Sequence, residues 1–386
     1  MKIAIVLARA DPARGGLERY ATDWACWAAG RGHDVHLVAL GGVEPPAGVH
    51  LHKIGEREED VIARASRLSA AAAALSPDIV HDFSVGLGGD VLHPVAGSRA
   101  AAGAGELRSL DPARRLKWRL SPSRRRGRAL WHELERRQFG HPRGIFVACS
   151  DLVARDLKLA GADPSRIQVI YNAVDPHRFS PSPPAEKSVR RQALGMPSDG
   201  VLFLQVAQNF RLKGVASSIR AIALLSRQGI GCRLAIAGRG PDLDHYRQLA
   251  AGLGIDDRCH FLGAPADTAP VYAAADALVH PAFYDSCSLV SLEAWASGLP
   301  VALSCRDGAA GLLTEGVQGW LIRDPADASE ISFRLKELID PGRREAMGAQ
   351  GRVLAELNTA DASFSRLEAL CQELADAKRQ RPTATR

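Results

Sequence analysis

No stretch of the 386 residues approaches the ~20 consecutive apolar residues of a membrane helix. The apolar opening, residues 1–8, gives way at once to Arg9, Asp11 and Arg14, and the alanine run 70–74 is brief and soon meets Pro77. The opening therefore reads as a buried strand, and the protein is expected to be cytoplasmic or peripheral to a membrane. The seven cysteines are odd in number and scattered, with no close pair at metal-ligand or redox spacing, which argues against structural zinc and for a reducing compartment. No Asp-x-Asp pair stands at a strand end, and no recognised nucleic-acid-binding motif accompanies the formal charge of +6. What is present is the balance of a globular enzyme, 46% hydrophobic and 24% charged, in a chain long enough for two cores.

Short β-rich apolar runs alternate with helical stretches: 2–8, 35–40, 78–83, 145–150 and 167–172 in the first half. In the second half they fall at 201–207, 232–238, 260–263, 277–281, 299–304 and 320–322. Alternation of this kind implies parallel sheets. A proline-rich change of composition after Asp175 reads as a connector. The expected fold class is α/β, with two Rossmann-like, doubly wound parallel-sheet domains facing a cleft. The expected domains are 1–178, which binds the acceptor, and 179–360, which binds the donor. A helix and frayed tail, 361–386, follow, the helix packing back on the first domain.

The most informative segment runs from His280 to Val301 and reads strand, loop, helix, strand. Ser286 is a plausible N-cap and Gly298 a plausible stop, so a helix N-terminus opens at the carboxyl end of a parallel strand, where open α/β sheets bind ligands. Backbone N–H groups of Ser288, Leu289 and Val290, aided by the helix dipole, would receive a diphosphate. Asp285 and Glu293 are eight positions apart, ~12 Å if helical, the span from a hexose across a diphosphate to a ribose. Arg211 and Lys213, in a loop after the strand 201–207, offer two cations to a leaving diphosphate. A second glycine turn, 237–241, contains Arg239.

The segment 280–301 resembles the E-x7-E signature of retaining GT-B glycosyltransferases of family 4, with Asp285 in the place of the first Glu. The resemblance extends over nearly the whole chain, and within the family it leans towards the lipopolysaccharide core glucosyltransferases. It implies that Glu293 binds ribose hydroxyls, that Asp285 contacts the transferred sugar, and that Lys213 and Arg211 neutralise the diphosphate. It further implies that Gly15 and Gly16, in an Arg-Gly-Gly-Leu-Glu loop after the first strand, border the sugar and diphosphate, and that Arg239 lies near the nucleotide. Asp90 and His93 are the candidates for the group nearest the acceptor hydroxyl. The implied activity is metal-independent, cofactor-free, retaining transfer of a hexose from a nucleotide sugar, UDP-glucose being favoured, to a glycolipid or lipopolysaccharide-core acceptor. The alternatives are mannosyl or other hexosyl transfer to a lipid or exopolysaccharide precursor, and a non-catalytic nucleotide-sugar-binding protein. A nicotinamide dehydrogenase fits poorly, because Gly238-x-Gly240 lacks a third glycine and Leu40-Gly41-Gly42 stands where a ribose-binding acid belongs.

Between Arg99 and Arg143 lie thirteen Lys or Arg against four acids. Trp118, Leu120, Leu130 and Trp131 interleave with these cations, a pattern suited to an anionic membrane surface at the inner face of the cytoplasmic membrane. Nucleic acid is not an expected partner.

Overall fold

The computed structural model describes residues 1–141, 144–240 and 242–380; Arg143, Pro241 and the tail beyond Gln380 lie outside the described residues. By its internal contacts the chain forms two units. The first comprises 1–102, 116–171 and 361–386, and the second 103–115 and 172–360.

In the first unit the strands of the main sheet are β1 Lys2–Val6, β2 Asp34–Ala39, β3 Val49–Lys53, β4 Ile79–Asp82, β5 Val91–Leu92, β6 Ile145–Ala148 and β7 Ile167–Val169. They form one parallel sheet in the order β3-β2-β1-β4-β5-β6-β7. β1 is buried along nearly its whole length, as a strand covered on both faces must be. Its Ala4 and Val6 pack with Val38, Leu40, Leu68 and Ala72, the last two from the helix Val61–Ala74. That helix starts where Asp60 accepts from the N–H groups of Ile62 and Ala63.

The helix Ala360–Arg379 belongs to the same unit. Phe364 sits edge-on to Tyr20, centroids 5.3 Å apart, Asp361 accepts from the Trp27 indole at 2.8 Å, and Glu368 pairs with Arg31 and His33.

The second unit repeats the pattern with β8 Val201–Val206, β9 Cys232–Ala237, β10 Cys259–Gly263, β11 Ala277–His280, β12 Val301–Ser304 and β13 Gly319–Ile322. All pairings are again parallel, in the order β10-β9-β8-β11-β12-β13. Phe203, Leu234 and Ile236 bury against Ile219, Ile222 and Leu225 of the helix Val215–Arg227 and against Ile331 and Leu335 of the helix Ala328–Glu337. Each such side chain contributes about 1.5–3 kcal/mol relative to exposure.

In both sheets the strand order reverses beside the first strand, between β1 and β4 and between β8 and β11. The connections leave in opposite directions there and open a crevice at the carboxyl ends, which is where ligands bind in doubly wound sheets.

Candidate active site

At the β8/β11 reversal the loop 207–214 lies against the loop 281–285. Asn209 shapes the first loop, its side chain accepting from Leu212 N–H at 3.2 Å and its carbonyl from Lys213 N–H at 2.9 Å. The buried Gln205 donates to the Lys213 carbonyl at 2.7 Å. Gly214 has φ +72°, and a Cβ there would drive into the Pro281 carbonyl oxygen, so only glycine lets the two loops approach this closely. Phe283 N–H closes the contact by donating to the Leu212 carbonyl at 2.8 Å.

This packing brings Lys213 Nζ onto Asp285 Oδ2 in an ion pair. His280, the last residue of β11 and almost wholly buried, places Nε2 3.1 Å from the same oxygen and 3.5 Å from Asp307 Oδ2. Burial alone would raise the pKa of Asp285, but Lys213 and His280 together overcome it and hold the carboxyl well below the usual range. Burial, and then the neighbouring Asp285 charge, push Asp307 up to about 6. His280, Asp285 and Asp307 bring one potential ligand atom each within 4.8 Å of one another, a spacing a metal ion could use. The Lys213 ammonium on Asp285 already supplies a positive charge to that group.

The sequence places the helix start too early. The helix runs Leu289–Ala296 with Ser288, not Ser286, as N-cap. The Ser288 N–H is already taken, because it donates to Asp307 Oδ1 at 3.0 Å; Asp307 is an internal anion at the same helix end. Leu289 and Val290 lie in the first turn, where backbone N–H groups have no intrahelical acceptor. Asp285 therefore stands in the loop, outside the helix, and the helical spacing does not set its distance from Glu293. Glu293 lies on the second turn, where its Oε2 accepts from the buried Tyr272 hydroxyl at 2.6 Å. Burial and then Glu293 raise the Tyr272 pKa well above its ordinary value, so the phenol stays a donor.

Arg211 is partly exposed in the same loop as Lys213, with a guanidinium nitrogen 3.5 Å from Glu106. Arg239 follows β9 and is exposed. The preceding Gly238, φ +136°, passes so close to the Ala207 carbonyl that a Cβ would collide with it, which keeps this turn beside the β8 loop.

In the first unit Gly15 caps the helix Gly16–Gly30, its carbonyl accepting from Arg19 N–H, at the carboxyl side of β1. Asp90 does not belong to this edge. β5 is only two residues long, so Asp90 sits at its amino end, where it accepts from Val80 N–H at 2.8 Å and pairs with Lys378 at 2.8 Å. These contacts make it a tie between strand and helix, and its assignment near the acceptor is corrected accordingly. His93 does follow β5 at the carboxyl edge, fully buried, with Nδ1 3.3 Å from His81 Nε2 and its ring edge-on to Tyr20. Burial pulls its pKa down to about 3.

The basic segment is helical at Arg99–Arg108, Pro112–Leu120 and Pro122–Phe139. Arg128 stacks on Trp118 at 4.3 Å and Arg99 on Trp131 at 3.7 Å. Leu130 and Trp131 pack against Val61, Ala65 and Leu134, so the exposed apolar groups are Leu116 and Leu120 rather than the whole interleaved set. Among the described residues no helix is long and apolar enough to cross a membrane.

Sequence reasoning did not single out His280, Asp307 or Tyr272. Asp307 carried one available signal: it lies in the loop after β12, at the same carboxyl edge as the loops after β8 and β11.

Two parallel sheets with this strand order, each in its own unit, and a crevice lined by Lys213, Asp285 and Glu293 define a GT-B architecture. The chain belongs to the GT-B glycosyltransferases: residues 14–178 match the model of Glycosyltransferase Family 4, and residues 186–353 that of Glycosyl transferases group 1. It is similar to the solved structure of WaaG, a glycosyltransferase involved in lipopolysaccharide biosynthesis, with TM-score 0.76 and 26% identity over 97% of this chain and 99% of that one. In sequence it is 30% identical to the lipopolysaccharide glucosyltransferase WaaG of Escherichia coli over 179 residues, 46% of this chain and 48% of that protein. It is also 34% identical to a D-inositol 3-phosphate glycosyltransferase of Geodermatophilus obscurus over 237 residues, 57% of this chain and 51% of that protein. The chain thus spans about half the length of the curated relatives it matches.

Proposed function

We propose that the protein transfers a hexose from a nucleotide sugar, with UDP-glucose favoured, to a glycolipid or lipopolysaccharide-core saccharide, with retention at the anomeric carbon and without a metal ion. The observation that carries this reading is the convergence of Lys213, Asp285 and His280 at the carboxyl edge of the second sheet, beside the helix that bears Glu293. Glu293 is assigned to the ribose hydroxyls and Asp285 to a hydroxyl of the hexose. Lys213, Arg211 and the N–H groups of Leu289 and Val290 stabilise charge on the departing diphosphate. Preorganised donors of this kind act most strongly where charge develops, in the transition state.

In the transfer step the bond from the anomeric carbon to the phosphate oxygen breaks. The acceptor oxygen bonds that carbon from the same face, and the acceptor proton passes to the departing phosphate. Gly15, Gly16 and His93 are assigned to sugar and acceptor contacts, and Arg239 to the nucleotide. The segment 99–143 is assigned to an anionic membrane surface, through its cations and the exposed Leu116 and Leu120.

The test is turnover of UDP-glucose with a chelator present, followed by the anomeric configuration of the product. Loss of turnover on chelation, or an inverted anomer, refutes the mechanism, and absence of any donor hydrolysis favours a non-catalytic binder. Binding to vesicles that ignores anionic lipid content and salt refutes the membrane assignment. The similarity to D-inositol 3-phosphate glycosyltransferases favours a second reading, a phosphorylated polyol as acceptor; an acceptor panel separates the two.

A further inference from the structure

A third loop, after β12, carries Arg306, Asp307 and Gly308 against the same edge. It grips Asp285 through the main chain: Asp285 N–H donates to the Arg306 carbonyl at 3.0 Å, and the Asp285 carbonyl accepts from Gly308 N–H at 2.9 Å. The side chain of Asp307 does two different things. Its Oδ1 accepts from Ser288 N–H at 3.0 Å and from Ala309 N–H at 2.8 Å, fastening the loop to the start of the helix. Its Oδ2 is buried with no hydrogen-bond partner among the described residues and faces His280 Nε2 at 3.5 Å. A buried carboxylate oxygen left in this way is unfavourable unless the group opposite holds a proton towards it.

The contacts on Asp285 are one-sided. Lys213 Nζ and His280 Nε2 both fall on Oδ2, and neither falls on Oδ1. We propose that Asp307 is a positioning residue for donor-sugar recognition. By facing His280 with an acceptor it keeps the imidazole proton on Nε2, the nitrogen shared with the nearer Asp285 Oδ2, which leaves Asp285 Oδ1 to accept a hydroxyl of the transferred hexose. This rests on the assignment of Asp285 to the hexose.

The chemistry separates this role from simple loop fastening. Asp307→Asn retains an oxygen for the two backbone N–H groups but presents an amide N–H₂ to His280. Two donors cannot face each other, so the imidazole turns its lone pair to the amide and ceases to donate to Asp285.

Calorimetric titration with UDP-glucose and with UDP, and with GDP-mannose and GDP as a second pair, reads the sugar contact as the difference within each pair. For the pair that binds, Asp307→Asn is expected to leave the nucleoside diphosphate affinity within twofold and to weaken the nucleotide sugar about tenfold. Asp285→Asn should lose at least as much nucleotide-sugar affinity relative to its nucleoside diphosphate, whose own affinity changes as Lys213 is released from its ion pair, and the double variant should lose no more than Asp285→Asn alone. His280→Met removes the donor to Asp285 but leaves the Asp307 bonds to Ser288 and Ala309 in place, and must reproduce the selective loss, which keeps the test decisive should Asp307→Asn fold poorly. Full nucleotide-sugar affinity in Asp307→Asn and His280→Met, beside a loss in Asp285→Asn, overturns the positioning role and leaves the site standing. A parallel fall for both members of a pair, with a lower Tm, makes Asp307 a loop fastener only and also overturns the proposal. Indifference of Asp285→Asn, or a wild-type protein that binds neither pair, removes the site itself.

Discussion

Lys213→Met keeps most of the aliphatic stem and removes the ammonium from an ion pair whose side chains are only 20% and 16% exposed. Stripping one partner from a buried pair costs about 3–5 kcal/mol when nothing compensates. Here His280 remains 3.1 Å from the same oxygen and compensates in part, so the loss is expected to fall below that range, about 2–3 kcal/mol. Asp285→Asn alone strands the Lys213 ammonium beside an amide and should cost about 2 kcal/mol. Removing both charges leaves no uncompensated ion, so the double variant should lie only about 1–2 kcal/mol below wild type. The implied coupling is roughly 2–4 kcal/mol. Urea unfolding of the four proteins measures it, as shifts in midpoint at constant slope. Single effects that add to within about 0.5 kcal/mol would refute the claim that this pair is a buried, mutually dependent unit.

Three further outcomes are expected. Asp90→Asn retains an acceptor for Val80 N–H but loses the partly exposed Lys378 pair, so stability should fall by about 0.5–1 kcal/mol while donor turnover stays within twofold. A hundredfold drop in kcat would return Asp90 to the acceptor site. His93 is held to about pKa 3 by burial, whereas the unfolded chain takes up that proton near 6.5, so its stabilising contribution is complete above pH 6.5 and is lost as pH falls towards 3. The slope is about 1.4 kcal/mol per pH unit for this group, so the gap between urea midpoints at pH 7.5 and 5.0 should narrow in His93→Phe without closing, because burial also holds the neighbouring His81 well below its ordinary pKa. Arg191, almost fully buried, donates to the carbonyls of Ala274, Ser198 and Gly200 and to Asp276; Arg191→Met should lower stability by about 3–5 kcal/mol in a thermal scan, and an unchanged Tm would contradict this.

The alternation of strands and helices was legible because parallel strands buried on both faces read as short apolar runs. β3 escaped because Val49-His50-Leu51-His52-Lys53 is an edge strand with polar residues at every second place, and β5 because two residues carry no period. The brevity of β5 also explains Asp90: nothing in Gly89-Asp90-Val91 tells which end of a strand the acid marks. The helix start was misjudged by two residues because Ser286 and Ser288 both suit an N-cap. The choice is made by Asp307, nineteen positions on, through a contact that no local pattern encodes. Lys213 and Asp285 were found from their loops, but their direct pairing depends on Gly214 passing beneath Pro281, a three-dimensional fact.

The helix Ala360–Arg379 joins the first unit although the chain before it, from residue 172, builds the second. During synthesis at ~5–20 residues per second, residues 172–360 emerge while the earlier sheet still lacks the aromatic and ionic partners that Phe364, Glu368 and Lys378 supply. The half translated first is thus finished last. A nascent chain stalled short of residue 360 should leave Trp24 and Trp27 without the Phe364 ring they pack against, open to holdase chaperones on the ribosome.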